Sequence, residues 1–452
     1  MTNQSTIEGD SWQSLTPDEK LERRIAAWIS GEGKQFDSVR AKEDYRARAK
    51  RYADAMLLKI PDRIPVVPSI GGFAAAYYGY TSRDMMYDVD KAADVIYRGT
   101  LEFRTDTRIS TGGSAGLVCD IMGVSMYSWP GYDLPDDEGL QFKDIEYMKA
   151  GEYDALIRDP SDYWLRTHFP RMMGALSPLT ALKPVLHTYD FDSVLTGVSP
   201  FGQPDVQATM QKLLKAGNQA RLWSEKLADT HRKLERLGFP GMTGGNSRIP
   251  FDHIGDYLRG TREIMMDIYR RPQKLHDAME RFVPLLVEMG MSGIKMGDCP
   301  IVSFPVHKGS DEFLSDHQYR EFFWPTCRNA MDALFEEGLI VRMFAEGKHD
   351  SRLQFLRNEL PKGKTIWYFD CTTDMELAKN TIGDVACVMG NVPSSLLSIG
   401  TVDQTVEYCR NLIDVAGEGG GFIFATGAGA DRNARSENVK AMIKCAKEYG
   451  VY

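Results

Sequence analysis

The feature that most constrains the fold is a pair of consecutive strand–loop–helix units in residues 384–449. Residues 385–389 (VACVM) and 421–425 (GFIFA) are short, unbroken apolar runs, a pattern typical of strands buried on both faces. Each run ends at glycine and polar residues, and a segment with helical apolar spacing follows. The second helix begins near Ser436, a residue type that caps helices well. Two such units in succession predict a parallel sheet covered by helices, an α/β fold.

Three more apolar runs upstream are predicted to be strands of the same sheet: 301–306 (IVSFPV), 339–344 (LIVRMF) and 365–369 (TIWYF). Polar residues follow each run, among them His307, Glu346 and Asp370, and Asn391 follows the run at 385–389. In a barrel of parallel strands all these carboxyl ends lie at one mouth, where carboxylates and an imidazole suit acid–base chemistry. The candidate catalytic residues are therefore Glu346, His307, Asp370 and Asn391.

The amino-terminal part of the chain is predicted to be helical. After a polar segment expected to be disordered, residues 1–12, a helix starts at Thr16 with Pro17 at its first position, and a second helix is predicted at 42–59. We interpret these helices as a scaffold or a dimer arm. The expected organisation is an amino-terminal helical extension, residues 1–60, followed by a barrel of residues 61–452.

Composition excludes several classes of function. The net charge of −9, the pI near 5.5 and the absence of a basic block argue against binding to nucleic acid. No apolar run is long enough to span a membrane. Seven cysteines without a CxxC pair and a polar amino terminus fit the reducing cytoplasm. We expect a soluble cytoplasmic protein that acts on a small molecule.

Four motifs carry a resemblance to a known family: GNV at 390–392, IGT at 399–401, GGGFIFATGAGAD at 419–431 and SENVKAM at 436–442. They resemble the carboxyl-terminal part of the uroporphyrinogen decarboxylase superfamily, which includes decarboxylases and corrinoid-linked methyltransferases. The segment 62–68 (DRIPVVP) is similar to the opening strand of that family. The resemblance implies a (β/α)8 TIM-type barrel, here with an N-terminal helical extension.

The chain departs from both branches of this family. In the methyltransferases, a His-x-Cys pair and a later cysteine bind zinc, and the matching positions here are Phe344, Glu346 and Ala428. In the porphyrinogen decarboxylases, an arginine-bearing loop follows the first strand, whereas the loop at 69–76 contains no arginine. Because the usual groups of both branches are absent, family membership does not give the reaction.

A different zinc site is one alternative. Glu346, His349 and Cys371 are residue types that bind zinc, and His307 would complete four ligands. The other interpretation is structural: Glu346 stabilises the start of a helix, and His349, three residues on, faces water.

Three functions are open. We favour a methyltransferase that moves a methyl group from a small methylated donor, such as a methoxylated aromatic, to a corrinoid on a partner protein, because DRIPVVP and GGGFIFATGAGAD are more similar to that branch. The second is a metal-free decarboxylase in which Lys348 or Arg432 holds a carboxylate and Asp370 delivers a proton. The third is a module that binds a corrinoid or tetrapyrrole without catalysis.

Aromatic residues near the predicted mouth would suit a methoxylated aromatic donor. The substrate-binding candidates are Tyr77, Trp129, Lys348, Gly427 and Asp431. The expected partners are a small-molecule substrate, a corrinoid protein and a second copy of the chain in a homodimer.

Overall fold

The computed structural model describes residues 12–111 and 115–452. The disorder predicted for residues 1–12 lies outside these ranges except at Trp12, where it is wrong: Trp12 begins a short helical turn, Trp12–Ser14, and its indole nitrogen donates to Glu337 at 3.0 Å. The strands, in chain order, are β1 Tyr127–Ser128, β2 Gln141–Phe142, β3 Gly245–Asn246, β4 Ile301–Val306, β5 Ile340–Ala345, β6 Thr365–Phe369, β7 Cys387–Val392 and β8 Phe422–Thr426.

Helices surround the sheet and form most of the amino-terminal half. The α-helices up to the third strand are α1 Pro17–Ser30, α2 Val39–Met56, α3 Gly71–Tyr77, α4 Ser82–Tyr87, α5 Val89–Phe103, α6 Gly116–Met122, α7 Tyr153–Arg158, α8 Pro160–Tyr163, α9 Phe169–Met172, α10 Phe191–Val198 and α11 Pro204–Arg236. Those that follow are α12 Pro250–Ile254, α13 Thr261–Arg270, α14 Pro272–Met291, α15 Asp316–Gln318, α16 Trp324–Glu336, α17 Leu353–Glu359, α18 Met375–Ile382, α19 Ser394–Ile399, α20 Val402–Gly417 and α21 Ser436–Tyr449.

The strands β3 to β8 form one six-stranded parallel sheet in sequence order. Three backbone hydrogen bonds continue this arrangement through the segments 65–67 and 105–108: Val67 N–H to the Phe424 carbonyl (2.9 Å), Asp106 N–H to the Val66 carbonyl (2.9 Å) and Arg108 N–H to the Pro240 carbonyl (3.0 Å). The six strands and these two segments have the arrangement of a (β/α)8-type barrel, which confirms the predicted fold class.

The core has two layers, as the alternation of side chains along a barrel strand requires. The outer layer packs the strands against the surrounding helices, with Val341, Trp367 and Phe422 as examples. The inner layer fills the barrel, with Ile340 and Ile366 as examples, and is continuous with apolar side chains of α1 and α2.

The helices α1 and α2 close the amino-terminal end of the barrel. Thr16 caps α1 as predicted, accepting the amide of Glu19 in a capping box. Lys20 donates to the carbonyl of Glu336 at 2.8 Å, just before β5. Tyr52 of α2 is completely buried within the inner layer. Any ligand of the barrel must therefore enter from the opposite, carboxyl end of the strands.

Among residues 12–111 and 115–452, no helix combines the length and the apolar character needed to cross a bilayer.

Candidate active site

The carboxyl ends of β4 to β8 meet at one rim of the barrel, opposite the amino-terminal helices. His307 follows β4, Glu346 follows β5 and Asp370 follows β6, while Asn391 lies near the end of β7 and Gly427 follows β8. Neighbouring strands are parallel throughout this part of the sheet. The predicted convergence of these strand ends is therefore confirmed.

A buried network of two aspartates, a histidine and a lysine lies at the end of β4. The carboxylate of Asp252 accepts the backbone amides of His307 (2.8 Å) and Lys308 (3.0 Å). The carboxylate of Asp256 bonds to Nδ1 of His307 at 2.6 Å and to the ammonium group of Lys308. Both aspartates belong to α12 and the helical turn Gly255–Arg259, where a spacing of four residues places them on one face. We call these four residues the β4 network.

Burial and charge act in opposite directions on this network. Burial raises the pKa of Asp252 to about 7, and the charge of Asp256 adds to the rise. Burial also opposes ionisation of Asp256, but the hydrogen bond from His307 and the charge of Lys308 outweigh it and lower the pKa of Asp256. Burial disfavours the charged imidazole of His307, yet its bond to Asp256 raises the pKa of His307. His307 and Asp256 therefore favour an imidazolium–carboxylate pair.

Glu346 adjoins the β4 network from the end of β5. Its backbone amide donates to the carbonyl of Val306 at 3.1 Å, which fixes the two strand ends side by side. Burial raises the pKa of the Glu346 carboxyl group; the charge of His307 opposes the rise and that of Asp370 adds to it. Within the described residues, no hydrogen bond engages this carboxyl group. Glu346 is therefore an exposed acid at the rim that is free to bond a ligand.

The three residues considered as zinc ligands do not converge. The imidazole of His349 is fully buried, bonds through Nε2 to the carbonyl of Glu346 at 3.1 Å and lies near the rings of Trp367 and Phe369. Cys371, in contrast, is exposed. In the part of the chain that the structure describes, no three His, Cys, Asp or Glu side chains are grouped to hold a metal ion. The residues present therefore do not fit a zinc site.

The interpretation in which His349 faces water is also wrong. Its backbone amide donates to the hydroxyl of Thr373 at 3.1 Å, which ties the loop after β5 to the loop after β6. The ring itself bonds to the Glu346 carbonyl and lies beside Trp367 and Phe369, and burial lowers the pKa of His349. His349 is therefore packed in the core and does not face water.

Asp370 and Asn391 tie the rim together. The carboxylate of Asp370 accepts the amides of Gly347 (2.7 Å) and Thr372 (2.8 Å). The side-chain amide of Asn391 donates to two carbonyls of the loop after β6, at 3.0 and 3.2 Å, and accepts the hydroxyl of Tyr408 at 3.1 Å. These bonds give Asp370 and Asn391 a structural role. The geometry does not support the catalytic role predicted for them from the sequence.

The three predicted substrate-binding residues at the rim, Lys348, Asp431 and Gly427, differ in exposure and in their bonds to the protein. Lys348 is half exposed and pairs with Asp350 at 3.0 Å. Asp431 is exposed and accepts the amide of Asn433 within its own turn. Gly427 lies so close to the neighbouring loop that a Cβ there would be 2.9 Å from the backbone nitrogen of Cys371. Only glycine fits at this point of the rim, and the substrate contacts of all three stay predictions.

Tyr77 and Trp129 are held away from the β4 network. The ring of Tyr77 packs against Phe103 in the outer layer, and its hydroxyl donates to Glu102 at 2.7 Å. Trp129 is 1% exposed, and its indole nitrogen donates to the hydroxyl of Tyr87 at 3.0 Å. Neither ring has a described contact with the β4 network, because packing against helices determines its position.

Sequence reasoning missed three members of the network: Asp252, Asp256 and Lys308. The available signal was the segment 251–257 (FDHIGDY), in which two aspartates four residues apart follow a proline-started helix. The glycine-rich run at 241–246 contains a single β-branched residue, Thr243, so β3 and its carboxyl end were not recognised.

Sequence comparison identifies the family of this barrel. The family model described as Uroporphyrinogen decarboxylase (URO-D) matches residues 224–449, half of the chain. The chain belongs to the uroporphyrinogen decarboxylase family. The matched residues contain β3 to β8, the whole β4 network and Glu346, so the family relationship covers the part of the barrel that forms the site.

Curated members of the uroporphyrinogen decarboxylase family are distant relatives of the chain. The uroporphyrinogen decarboxylase of Aliivibrio salmonicida is 23% identical over 255 residues, which are 56% of this chain and 68% of that protein. The enzymes of Yersinia enterocolitica and Serratia proteamaculans are 24% and 26% identical over 181 and 183 residues, 39% of this chain and 49% of each protein. The chain thus spans about half the length of most of these relatives.

A solved structure shares the fold over most of the chain. It is described as a methyltransferase from Methanosarcina mazei, with a TM-score of 0.56 over 88% of this chain and 98% of that one. The two sequences are 13% identical. The likeness shows a common architecture.

Proposed function

We propose that this member of the uroporphyrinogen decarboxylase family is a methyltransferase. It moves a methyl group from a small methylated donor, a methoxylated aromatic, to a corrinoid bound to a partner protein. The observation that carries the proposal is Glu346: an exposed carboxyl group with a raised pKa and, among the described residues, no hydrogen bond, beside an imidazolium–carboxylate pair at the carboxyl end of the barrel.

Breaking a methyl ether requires an acid. The methyl group bonds to the nucleophilic cobalt of the acceptor, which supplies the electron pair, while the methyl–oxygen bond breaks and its electron pair stays on the oxygen. A proton from Glu346 then neutralises that oxygen, so the aromatic product leaves as a phenol. The raised pKa of Glu346 keeps part of its population protonated where an ordinary glutamic acid would be ionised.

His307 supports this proton transfer. Its raised pKa favours the imidazolium form, and the bond to Asp256 fixes the orientation of the ring through Nδ1. The charge of His307 is among the groups that shift the pKa of Glu346, and it favours the carboxylate that remains after the proton has left. Asp256 and Lys308 act through His307 by holding the network in place.

We assign the acceptor to a partner protein, as the resemblance to the corrinoid-linked methyltransferases implies. We therefore expect protein purified without the partner to be colourless and free of stoichiometric cobalamin. A red preparation that retains cobalamin would favour the alternative of a binding module. Absorbance spectroscopy and cobalt analysis of the purified protein distinguish the two.

The two cations considered for the decarboxylase alternative, Lys348 and Arg432, already have partners within the protein. Lys348 pairs with Asp350, and Arg432 bonds to the carbonyl of Tyr80 at 3.0 Å and to the carboxylate of Asp137. Both side chains are therefore engaged within the protein. Asp370, considered as the proton donor, accepts two backbone amides.

The proposal is tested with the variant Glu346→Gln. Methoxylated aromatics are screened as donors with a reduced corrinoid protein as acceptor, and zinc is measured in every sample. We expect turnover by the variant to fall by about 10²–10⁴-fold, the usual contribution of a general acid. The matched control is Glu280→Gln, which makes the same change at an exposed position of α14 and should leave turnover unchanged.

Zinc content separates two roles of Glu346. Turnover that falls while zinc content is unchanged supports the general acid. A parallel loss of zinc and turnover would assign Glu346 as a metal ligand instead. Full activity of Glu346→Gln would remove this residue from the site under either mechanism.

A further inference from the structure

Arg248 is a cation at the barrel rim that makes no ion pair with an acidic residue of the described ranges, 12–111 and 115–452. It follows β3 by two residues, and its side chain is half-buried. Nε donates to the hydroxyl of Tyr257 at 3.0 Å, and Nη1 donates to the carbonyl of Ser247 at 2.8 Å. Neither acceptor carries a negative charge in this setting. Of the five N–H groups of the guanidinium, these bonds use two, so three remain for a ligand.

Other cations of the rim are neutralised by carboxylates. Lys308 pairs with Asp256, Lys348 with Asp350, and Arg432 with Asp137. Among the residues that the structure describes, no ion pair of Arg248 is found within 4.0 Å. A partly desolvated cation needs a counter-charge, and an anionic ligand would supply it.

Two tyrosines flank Arg248. The guanidinium carbon lies 6.0 Å from the centre of the Tyr257 ring. Tyr127 is half-buried, and its hydroxyl lies within the electrostatic influence of Tyr257, Arg248 and Asp256. Burial raises the pKa of Tyr127, so its hydroxyl stays neutral and can donate. No hydrogen bond of this hydroxyl is found within the described ranges.

The position links Arg248 to the chemistry of the rim. Tyr257, which holds Nε of Arg248, is adjacent in the chain to Asp256 of the β4 network. Asp256 in turn bonds His307, whose charge acts on Glu346. A planar ligand that reaches from Arg248 toward Glu346 would thus pass the tyrosine pair, with its anionic end on one side of the rim and its reacting end on the other.

We propose that Arg248 is the anion-binding residue of the rim and that, with Tyr127 and Tyr257 beside it, it receives the carboxylate of an aromatic acid. This inference rests on the proposed function, since it specifies the methoxylated aromatic donor as a carboxylated one. The guanidinium edge formed by Nη1 and Nη2 offers two parallel donors that match a carboxylate. The hydroxyl of Tyr127 adds a neutral donor, and the two rings offer apolar surface to the aromatic ring of the acid.

The test is a calorimetric titration with two probes of nearly equal shape, 4-methoxybenzoate and the neutral 4-methoxybenzamide. We expect the wild-type protein to bind the acid about tenfold to a hundredfold more tightly than the amide, because charge-assisted hydrogen bonds are the stronger class. Arg248→Met should abolish this preference while leaving the weak binding of the amide unchanged. Arg248→Lys, which keeps the charge but not the two parallel donors, should retain only part of it.

The control variant is Arg270→Met, which removes an exposed arginine at the end of α13 and should keep the full preference for the acid. Urea unfolding of each variant verifies that it is folded. A wild-type protein that binds both probes equally, or an Arg248→Met variant that still prefers the acid, would overturn the inference.

Turnover measured on the same samples separates this inference from the proposed function. A preference for the acid that depends on Arg248, without methyl transfer to a reduced corrinoid protein, would leave the carboxylate site in place and reject the methyltransferase. Methyl transfer from neutral and carboxylated donors at the same rate would support the methyltransferase and reject the carboxylate site.

Discussion

Replacing Asp256 by asparagine tests whether charge holds the β4 network together. The side chains of Asp256 and Lys308 are 5% and 4% exposed, so both charges are buried. Asparagine has nearly the shape of aspartate but no charge. The variant therefore leaves the ammonium group of Lys308 without its partner and weakens the bond to Nδ1 of His307.

The expected loss follows from the burial of the pair. Removing one partner of a buried ion pair costs about 3–5 kcal/mol, because the remaining charge is uncompensated. This is a large part of the roughly 5–15 kcal/mol that stabilises a typical folded protein. An exposed ion pair gives the contrast. Nη1 of Arg221 and Oε1 of Glu225, both on α11, are 2.8 Å apart, and the two side chains are 59% and 60% exposed. Glu225→Gln should therefore lower the free energy of unfolding by about 0.5 kcal/mol or less.

The loss should also depend on pH. Asp256 raises the pKa of His307 in the folded protein, so protonation of His307 stabilises the fold. This stabilisation is fully present below the pKa of an unfolded histidine, about 6.5, and is lost as the pH rises through the raised pKa. The difference in unfolding free energy between wild type and Asp256→Asn should therefore be larger at pH 6 than at pH 8.

Urea unfolding followed by tryptophan fluorescence at both pH values measures the effect. The double variant Asp256→Asn/Lys308→Met removes both charges and should recover much of the stability lost by the single variant. A single variant within about 1 kcal/mol of the wild type at both pH values would refute the argument, since the typical cost of an uncompensated buried charge is several times larger.

Three further predictions follow from the rim and its supports. Gly427→Ala should cost about 1–3 kcal/mol in unfolding free energy, because its Cβ would be 2.9 Å from a backbone nitrogen of the next loop; unchanged stability would mean that the loops part easily. Arg259→Met should cost about 1–3 kcal/mol in unfolding free energy, because buried Asp267 loses its 2.6 Å bond to Arg259 but keeps Tyr153 and Arg271 as partners; a neutral effect in urea unfolding counts against this. The rate of methyl transfer should fall as the pH rises through the raised pKa of Glu346, and a rate that increases over that range speaks against the acid.

The fold could be predicted from the sequence because strands buried on both faces appear in it as unbroken apolar runs. The runs predicted at 301–306 and 365–369 coincide with β4 and β6, and those at 339–344, 385–389 and 421–425 lie within one to three residues of β5, β7 and β8. Strands buried on both faces are apolar without interruption, and that pattern needs no knowledge of the rest of the chain. The segment β3 was missed since its glycines carry no such pattern.

The site could be predicted only in part. His307 and Glu346 were placed at the rim because each directly follows a strand, whereas Asp256 reaches it from a helical turn whose orientation depends on packing. The same limit applies to His349, whose ring is buried beside Trp367 and Phe369. Residue type and spacing identify strand ends, but they do not show which groups around a rim are already satisfied by neighbours.

The two amino-terminal helices, α1 and α2, cover the amino-terminal end of the barrel and contribute side chains to its interior. Tyr52 and its apolar neighbours on α2 share the inner layer with Ile301, Ile340 and Ile423. The helix therefore shields the side chains of the barrel interior from water. A protein shortened to begin at residue 61 would expose the apolar side chains of the inner layer and the buried guanidinium group of Arg342 to water at the amino-terminal end of the barrel. The boundary at residue 60 that the sequence suggests therefore divides one packed core.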